Sequence, residues 1–243
     1  QTRTDERNYK YVLENIIKES NNEDNKIAGC YLSTNKKGSS FCVYKKSIGV
    51  TKVIELNDAK YNINSVLLYL EKENPKILAN FKQKFRAGYD NLINIDTKND
   101  GTMAYLLGLL ALFCGTKSKT YQESYDTFID HIRTFGGERS VKIDMKLKKG
   151  DKYLELDIYK AISSILSYRI AGVESRMLCY GIGESLLDFV NDTIHEMCKQ
   201  NSTKEAVIGG SLFGETFFIK RLKKHSNNIY NLNIPSDIPL EIN

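Results

Sequence analysis

The sequence predicts an α/β fold in which a mixed sheet is flanked by helices, and three stretches of the chain carry this prediction. Residues 26–56 contain short runs rich in β-branched and aromatic residues, separated by polar turns, which is typical of an antiparallel β-meander. Residues 57–200 are mainly helical in pattern, with apolar side chains recurring at helical spacing. Residues 205–237 contain a short apolar strand, a Gly-Gly turn and a helix. Together they predict a single domain over residues 1–243.

The first elements are a helix and the meander. Residues Asn8–Ser20 place apolar side chains on one helical face, and the polar stretch Asn21–Asn25 ends that helix. The strands of the meander are expected at Ile27–Leu32, Phe41–Lys45 and Val50–Leu56.

The middle of the chain predicts a series of helices. The first ends before Pro75, because a proline disfavours the helical conformation of the residue that precedes it. Residues Ser140–Tyr153 are rich in Lys and Gly and are expected to form a link, either a hairpin or an exposed loop. The predicted helices are Asn64–Glu73, Asn80–Tyr89, Gly101–Cys114, Tyr121–Phe135, Asp157–Ala171 and Glu184–Lys199.

The most informative segment follows the last of these helices. Ala206–Ile208 form a short buried strand, Gly209-Gly210 a tight turn, and Phe217–Lys224 a helix. A Gly-Gly turn between a strand and a helix lets backbone N–H groups approach a phosphate or an adenosine closely. Such a turn is also a common plain connection, so the pattern leaves both interpretations open.

Composition and charge exclude several classes of protein. Hydrophobic residues make up 41% of the chain and charged residues 27%, the balance of a globular protein. The net charge of +5 is mild, and the basic stretch Lys220–Lys224 is expected to be a solvated helix face, so nucleic-acid binding is not predicted. The apolar run Ala104–Cys114 is shorter than the roughly 20 residues that cross a bilayer. Without a secretion signal, the expected location is cytoplasmic and no membrane partner is expected.

Cysteines and histidines do not form recognisable sites. The five cysteines are odd in number and widely spaced, which favours buried free thiols over disulfides or a metal knot. The three histidines, His131, His195 and His225, lie far apart on predicted helices, so no metal site is expected. Catalytic residues cannot be assigned, because no order of Ser, His and Asp or of Cys and His is recognisable.

Several stretches resemble the carbamoyl-transferring domain of HypF-type hydrogenase-maturation proteins. Ala111–Gly115 followed by Thr120–Tyr125 resembles the family's "AALLG…SYEGEAA" passage. Ala171–Val173 and Ile208–Phe213 resemble its "aGvp" and "SGGVFQN" elements, and Ile234–Asp237 the start of "PPNDGG". The resemblance covers nearly the whole chain, and the order and spacing of the motifs are more specific than any one of them.

The resemblance implies an actin-like fold, built from ribonuclease-H-like lobes and shared with sugar kinases, Hsp70 and actin. HypF-type proteins use this domain to bind ATP and carbamoyl-adenylate and to pass the carbamoyl group to a cysteine of a partner; the tRNA threonylcarbamoyl-transfer family is related. ATP is therefore the candidate cofactor. The implied nucleotide-binding residues are Ser33, Thr34, Lys36, Lys37, Gly38, Gly209, Gly210 and Asp237.

The sequence departs from the family at positions that carry charge. The family's metal motif, HHHAH, corresponds to Asn8–Val12, which offers none of its metal ligands. Because that motif opens this chain, the earlier lobe of the family domain is expected to be missing. The phosphate loop "DGTGYG" corresponds to Ser33–Gly38 and loses its leading carboxylate. The remaining replacements are Ile182-Gly183 for "FH", Gly108 for an Asp, and Ile238-Pro239 for the closing glycines.

Two functions remain open. The first is a degenerate relative that keeps the fold and serves as a binding or regulatory subunit for a paralogue or a maturation factor. The alternative is an active ATP-dependent carbamoyl- or phosphoryl-transfer enzyme in protein maturation, in which Lys36 and Lys37 neutralise phosphates. The lost carboxylates and metal ligands favour the first, because phosphoryl transfer without a metal needs another source of charge neutralisation. An unrelated α/β protein is the remaining possibility.

Overall fold

A computed structural model describes residues 2–56, 61–95, 98–137, 140–227 and 229–234. Within these ranges the strands form one mixed sheet with the order β4-β5-β3-β2-β1-β6-β7, which confirms the predicted α/β class with flanking helices. The strands are β1 Ile27–Tyr31, β2 Ser40–Lys45, β3 Gly49–Glu55, β4 Leu147–Lys149, β5 Leu154–Leu156, β6 Glu205–Gly209 and β7 Asn231–Asn233.

The helices pack on both faces of this sheet. A 3₁₀ turn at Ser211–Gly214 lies between the sixth strand and the last helix. The helices are α1 Thr2–Glu19, α2 Ile63–Glu73, α3 Pro75–Lys84, α4 Arg86–Ile93, α5 Met103–Cys114, α6 Tyr121–Thr134, α7 Ile158–Ile170, α8 Ser175–Gln200 and α9 Thr216–Ser226.

The direction of the strands decides where loops meet. Strands β1, β2 and β3 pair antiparallel, whereas β6 pairs parallel to β1, and β7 parallel to β6. The register sets Gly29 beside Val207 and Tyr31 beside Gly209. Since parallel strands end at the same edge of a sheet, the chain leaves β1 and β6 side by side.

The two faces of the sheet carry separate hydrophobic cores. Ile27 and Tyr31 of β1 pack with the apolar side of α1, while Ala28 and Cys30 belong to the core shared with most of the other helices. This alternation follows from the two-residue period of a strand. Helix α5 is buried along its whole length, as its apolar composition predicts.

The link Ser140–Tyr153 leads into the hairpin β4–β5, which is one of its two expected forms, and β5 extends the sheet beyond β3. The structure differs from the expected elements in two places. The helix expected at Asn80–Tyr89 is two helices, because Phe85 adopts a non-helical conformation between α3 and α4. Helix α8 begins well before the expected Glu184. Gly181 and Gly183 lower helix propensity there, but close packing against Val141 and Phe217 keeps the helix intact.

All five cysteines are free and buried, as predicted. Burial raises the pKa of Cys42 to about 12. Cys179 differs, because hydrogen bonding with Cys114 lowers its pKa to about 6 and the neighbouring His131 adds to this effect. Among the helices within the described ranges, none has the length and apolar character needed to cross a membrane.

Candidate functional site

The loops that follow β1 and β6 are joined at the carboxyl edge of the sheet. The N–H of Thr34 donates to Oγ of Ser211 at 2.9 Å, and the two side-chain oxygens lie 2.8 Å apart. Backbone hydrogen bonds from Leu32 to Gly209 and from Leu212 to Leu32 tie the same two segments together. The structure therefore brings Ser33–Gly38 and Gly209-Gly210, far apart in sequence, into one site.

The loop Ser33–Gly38 is folded back on a buried serine. Oγ of Ser33 accepts hydrogen bonds from the N–H groups of Asn35 and Lys36, at 3.3 and 2.7 Å. The N–H of Ser33 donates to Oγ of Ser39 at 2.9 Å. These internal bonds are those of a serine turn, and they engage the N–H groups that a phosphate loop directs at its ligand. Anion contacts from this loop therefore depend on the side chains of Lys36 and Lys37.

The amino end of α5 forms one wall of the site. The N–H of Met103 donates to the carbonyl of Ser33 at 2.8 Å, and the side chain of Thr102 caps the helix by accepting from Tyr105. Gly101 has a φ of +79°, and a Cβ there would lie 3.0 Å from the side chain of Lys37. Lys37 is thereby positioned at a helix terminus that itself favours negative charge.

Gly209 and Gly210 have a packing role in the structure. A Cβ on Gly209 would lie 2.8 Å from Val12, and one on Gly210 would lie 2.2 Å from the carbonyl oxygen of Leu32. Gly210 also has a φ of +100°. The turn does not lead directly into a helix as expected, because the 3₁₀ turn Ser211–Gly214 intervenes before α9. These close contacts, with a side chain at Gly209 and with the backbone at Gly210, therefore explain why both positions hold glycine.

Three polar residues that the sequence analysis did not single out complete the site: Ser211, Tyr125 and Glu215. Burial raises the pKa of Tyr125 well above its usual value, and the charge of Glu215 adds to this effect, whereas the side chain of Thr34 opposes it. Glu215 is the residue directly before α9, and its Oε2 lies 2.6 Å from Nη2 of Arg133. Tyr125 and Ser211 lie within the motif-like stretches Thr120–Tyr125 and Ile208–Phe213, but no local pattern shows that they meet Glu215, since each comes from a different element.

Asn8–Val12, which corresponds to the metal motif of HypF-type proteins, lies in the middle of α1. Asn8 and Val12 are both buried, and Val12 packs over Gly209. An amide and an aliphatic side chain do not fit a transition-metal site, which takes imidazole, thiolate or carboxylate ligands. In the part of the chain that the structure describes, no three His, Cys, Asp or Glu side chains are grouped so that they could hold a metal ion.

Gly108 and Asp237 are two further positions that the sequence analysis compared with HypF-type motifs. Gly108 lies away from the site, and Asp237 cannot be placed. Gly108 is in the middle of α5, where a Cβ would lie 2.4 Å from the carbonyl oxygen of Tyr121 on α6. A carboxylate at Gly108 would therefore enter a helix–helix contact. Asp237 lies outside the described residues, so its expected part in nucleotide binding stays a prediction.

Replacing Ser211 by alanine tests the link between the two loops. The substitution removes the acceptor for the N–H of Thr34, and we expect the free energy of unfolding to fall by about 1 kcal/mol. Urea denaturation followed by circular dichroism measures the change. Replacing the exposed Ser47 by alanine is the control and should change stability by less than about 0.5 kcal/mol. Equal effects of the two substitutions would show that the link does not stabilise the fold.

Known proteins were compared with this chain by sequence and by structure. No protein-family model matches the sequence. Protein HydE of Wolinella succinogenes is 22% identical over 137 residues, which are 56% of this chain and 25% of HydE. The crystal structure of full-length HypF in the phosphate- and nucleotide-bound form superposes with a TM-score of 0.68 and 15% identity, covering 96% of this chain and 33% of HypF. HypF of T. kodakarensis gives a TM-score of 0.56 and 13% identity, with 87% and 31% covered. The chain thus spans 25–33% of these proteins and shares the fold of the matching part of HypF.

Proposed function

We propose that this chain is a HypF-like domain with the actin-like architecture of that family. In this proposal it binds an adenine nucleotide beside Ser33–Gly38 and Gly209-Gly210 and serves as a binding or regulatory subunit rather than as a transferase. The observation that carries the proposal is the Thr34–Ser211 contact, which unites the two candidate nucleotide loops, next to an α1 that has lost the metal ligands.

The position of the loops supports nucleotide binding. Ligands of open α/β sheets bind beyond the carboxyl ends of the strands, and β1 and β6 end there as parallel neighbours. Lys36 and Lys37 provide positive charge, and the amino end of α5 adds a favourable dipole. The HypF crystal structure with the same fold is the phosphate- and nucleotide-bound form of that protein.

The packing of α1 supports a role without catalysis. Val12 and Ile16 fill the space over Gly209 with aliphatic side chains. A metal ion in this position would need ligands that these residues do not offer, and an apolar environment disfavours the charged species of phosphoryl transfer. The residues at this position can exclude water and support the sheet.

A protein partner follows from the proposed role. The matched part of HypF is 33% of that protein, so the fold normally works together with further domains. We propose that the partner is a paralogue or a maturation factor that completes the site. Co-purification from the native host, followed by mass spectrometry, identifies the partner, and recovery of a full-length HypF-like protein is the expected result.

Nucleotide binding is tested by the loss of two lysines. ATP or ADP at about 100 times its dissociation constant should add about 2.7 kcal/mol to the free energy of unfolding of the unmodified protein. Lys36→Gln combined with Lys37→Gln should weaken binding at least tenfold in calorimetry, because the neutral amides no longer attract phosphate. The exposed pair Lys223→Gln and Lys224→Gln, on the last turn of α9, is the matched control. Unchanged affinity in the first variant would refute the proposed site.

Catalysis is tested separately from binding. The unmodified protein is incubated with ATP, magnesium and carbamoyl phosphate, and release of phosphate or pyrophosphate from ATP is measured. The proposed subunit role predicts no release above the background of the Lys36→Gln/Lys37→Gln variant. Release that requires both lysines would replace the subunit role by the active-transferase alternative, while nucleotide binding at this site would stand.

A further inference from the structure

A cavity lies at the other end of α5 from the candidate nucleotide site. Its volume is about 450 Å³, and it is lined by part of α4, by the loop Gly115–Lys119 that follows α5, and by Arg169 of α7. We call it the Arg169 pocket. Helix α5 has 12 residues, so its two ends are about 18 Å apart and the pocket is separate from the β1–β6 edge.

The lining of the Arg169 pocket is cationic. Arg169, Lys117 and Lys119 all contribute to it, and no Asp or Glu is among its described lining residues. The nearest carboxylate contact shown for the loop is Glu123, which accepts a hydrogen bond from the backbone N–H of Lys119 rather than from its ammonium group. No described residue of the lining therefore offers a carboxylate to these positive charges.

Arg169 is held in place by contacts that leave part of its guanidinium unused. Nη1 donates to the carbonyl of Phe113 at 2.9 Å, and the guanidinium lies 4.6 and 5.1 Å from the ring centroids of Phe85 and Phe81. The Phe113 contact caps the carboxyl end of α5, where a cation is favourable. Helix capping explains the position of Nη1. It does not explain why Nη2 and the two lysines border the same cavity.

Two glycines allow the guanidinium of Arg169 to pack closely against the backbone. A Cβ on Gly115 would lie 2.7 Å from Nη2 of Arg169, and one on Gly88 would lie 3.1 Å from the same atom. Gly115 has a φ of +101°, which also requires glycine. Arg169 and both glycines line the pocket, so the guanidinium borders the cavity where these glycines leave room for it.

We propose that the Arg169 pocket binds a small oxyanion, the phosphate or carboxylate group of a low-molecular-weight ligand. Arg169 supplies a planar donor of fixed orientation, and Lys117 and Lys119 supply mobile positive charge at the mouth. Burial among Phe81, Phe85 and Leu112 strengthens these contacts by lowering the local dielectric. This site is distinct from the proposed nucleotide site and does not depend on it.

The proposal is tested with inorganic phosphate as the probe, using the full chain and phosphorus NMR line widths. Binding with a dissociation constant below about 10 mM is expected in the Lys36→Gln/Lys37→Gln variant, in which the nucleotide site is disabled. Adding Arg169→Gln to that variant should weaken binding at least tenfold. Displacement of phosphate by acetate would identify a site that also takes a carboxylate, whereas displacement by phosphate analogues alone would identify phosphate as the ligand class.

A second variant separates loss of phosphate binding from loss of the fold. Lys117→Gln combined with Lys119→Gln changes only exposed side chains, so the unfolding midpoint should stay constant while phosphate binding weakens about threefold to tenfold. The pair Lys223→Gln and Lys224→Gln should leave binding unchanged. Absence of phosphate binding at about 10 mM, or equal binding in all variants, would overturn the proposal.

Discussion

Replacing Gly210 by alanine is expected to lower the free energy of unfolding by about 3–5 kcal/mol. The new Cβ would lie 2.2 Å from the carbonyl oxygen of Leu32 and 2.8 Å from its nitrogen, and the backbone of Leu32, directly after β1, cannot move aside without breaking its hydrogen bonds to Gly209 and Leu212. In addition, a φ of +100° with a ψ of 149° is a conformation that only glycine adopts easily. Guanidinium denaturation of the purified variant measures the loss.

Gly172 offers a matched control for this prediction. It has a φ of +98°, but a Cβ there would meet nothing within 4 Å. Gly172→Ala therefore includes backbone strain without a collision and should cost about 1–2 kcal/mol. A similar loss at both positions would show that the contact with Leu32 is not what requires glycine at position 210.

Substitution of Gly210 does not test nucleotide contacts separately from the fold. Because Gly210 supports the junction of β1 and β6, a variant at this position that no longer binds nucleotide reports loss of the fold. Lys36 and Lys37 are partly or fully exposed, so their substitution reports on ligand contacts instead.

Replacing Gly108 by aspartate is expected to destabilise the protein by about 5 kcal/mol or more. The family carries a carboxylate at the position that corresponds to Gly108, but here a Cβ would lie 2.4 Å from the carbonyl oxygen of Tyr121. The carboxylate would also be buried between α5 and α6 with no basic side chain shown beside it, and an unpaired buried charge is strongly unfavourable. Thermal and denaturant unfolding measure the effect.

Two alanine variants separate the collision from the charge. Gly108→Ala retains the collision with Tyr121 and should cost about 1–3 kcal/mol. Gly183→Ala in α8 meets only the ring edge of Phe217 at 3.0 Å, which can shift, so its cost should be within about 1 kcal/mol. A stable Gly108→Asp variant that gains ATP turnover would instead show that this position faces a working site.

Local pattern sufficed where an element's own residues decide its structure. The helix at Asn8–Ser20, the three strands of the meander and the apolar α5 follow from side-chain periodicity, because one face or the whole element has to leave water. Local pattern failed at α8, whose Gly181 and Gly183 lower helix propensity but are needed for close packing. At β4 and β5 it left a hairpin and a loop open, because strands of three residues depend on pairing, β5 with β3 and β4 with β5.

The sequence likewise indicated one part of the candidate site and did not indicate the other. The sequence indicated Ser33–Gly38 and Gly209-Gly210 from their composition and from their resemblance to HypF-type motifs. It did not indicate that Ser211, Tyr125 and Glu215 belong to the site, because contacts between residues more than 80 positions apart leave no periodic signal in the chain.

By itself, the sequence determined the α/β class, the burial of the cysteines and the absence of the family's metal ligands from Asn8–Val12. These properties depend on the type and spacing of residues within short segments. Only the tertiary structure decided that Thr34 meets Ser211, that Gly210 is required by the backbone of Leu32, and that Arg169 faces a cavity between two glycines. Each of these depends on the parallel pairing of β1 with β6 or on the packing of α5, α4 and α7, which distant parts of the chain produce together.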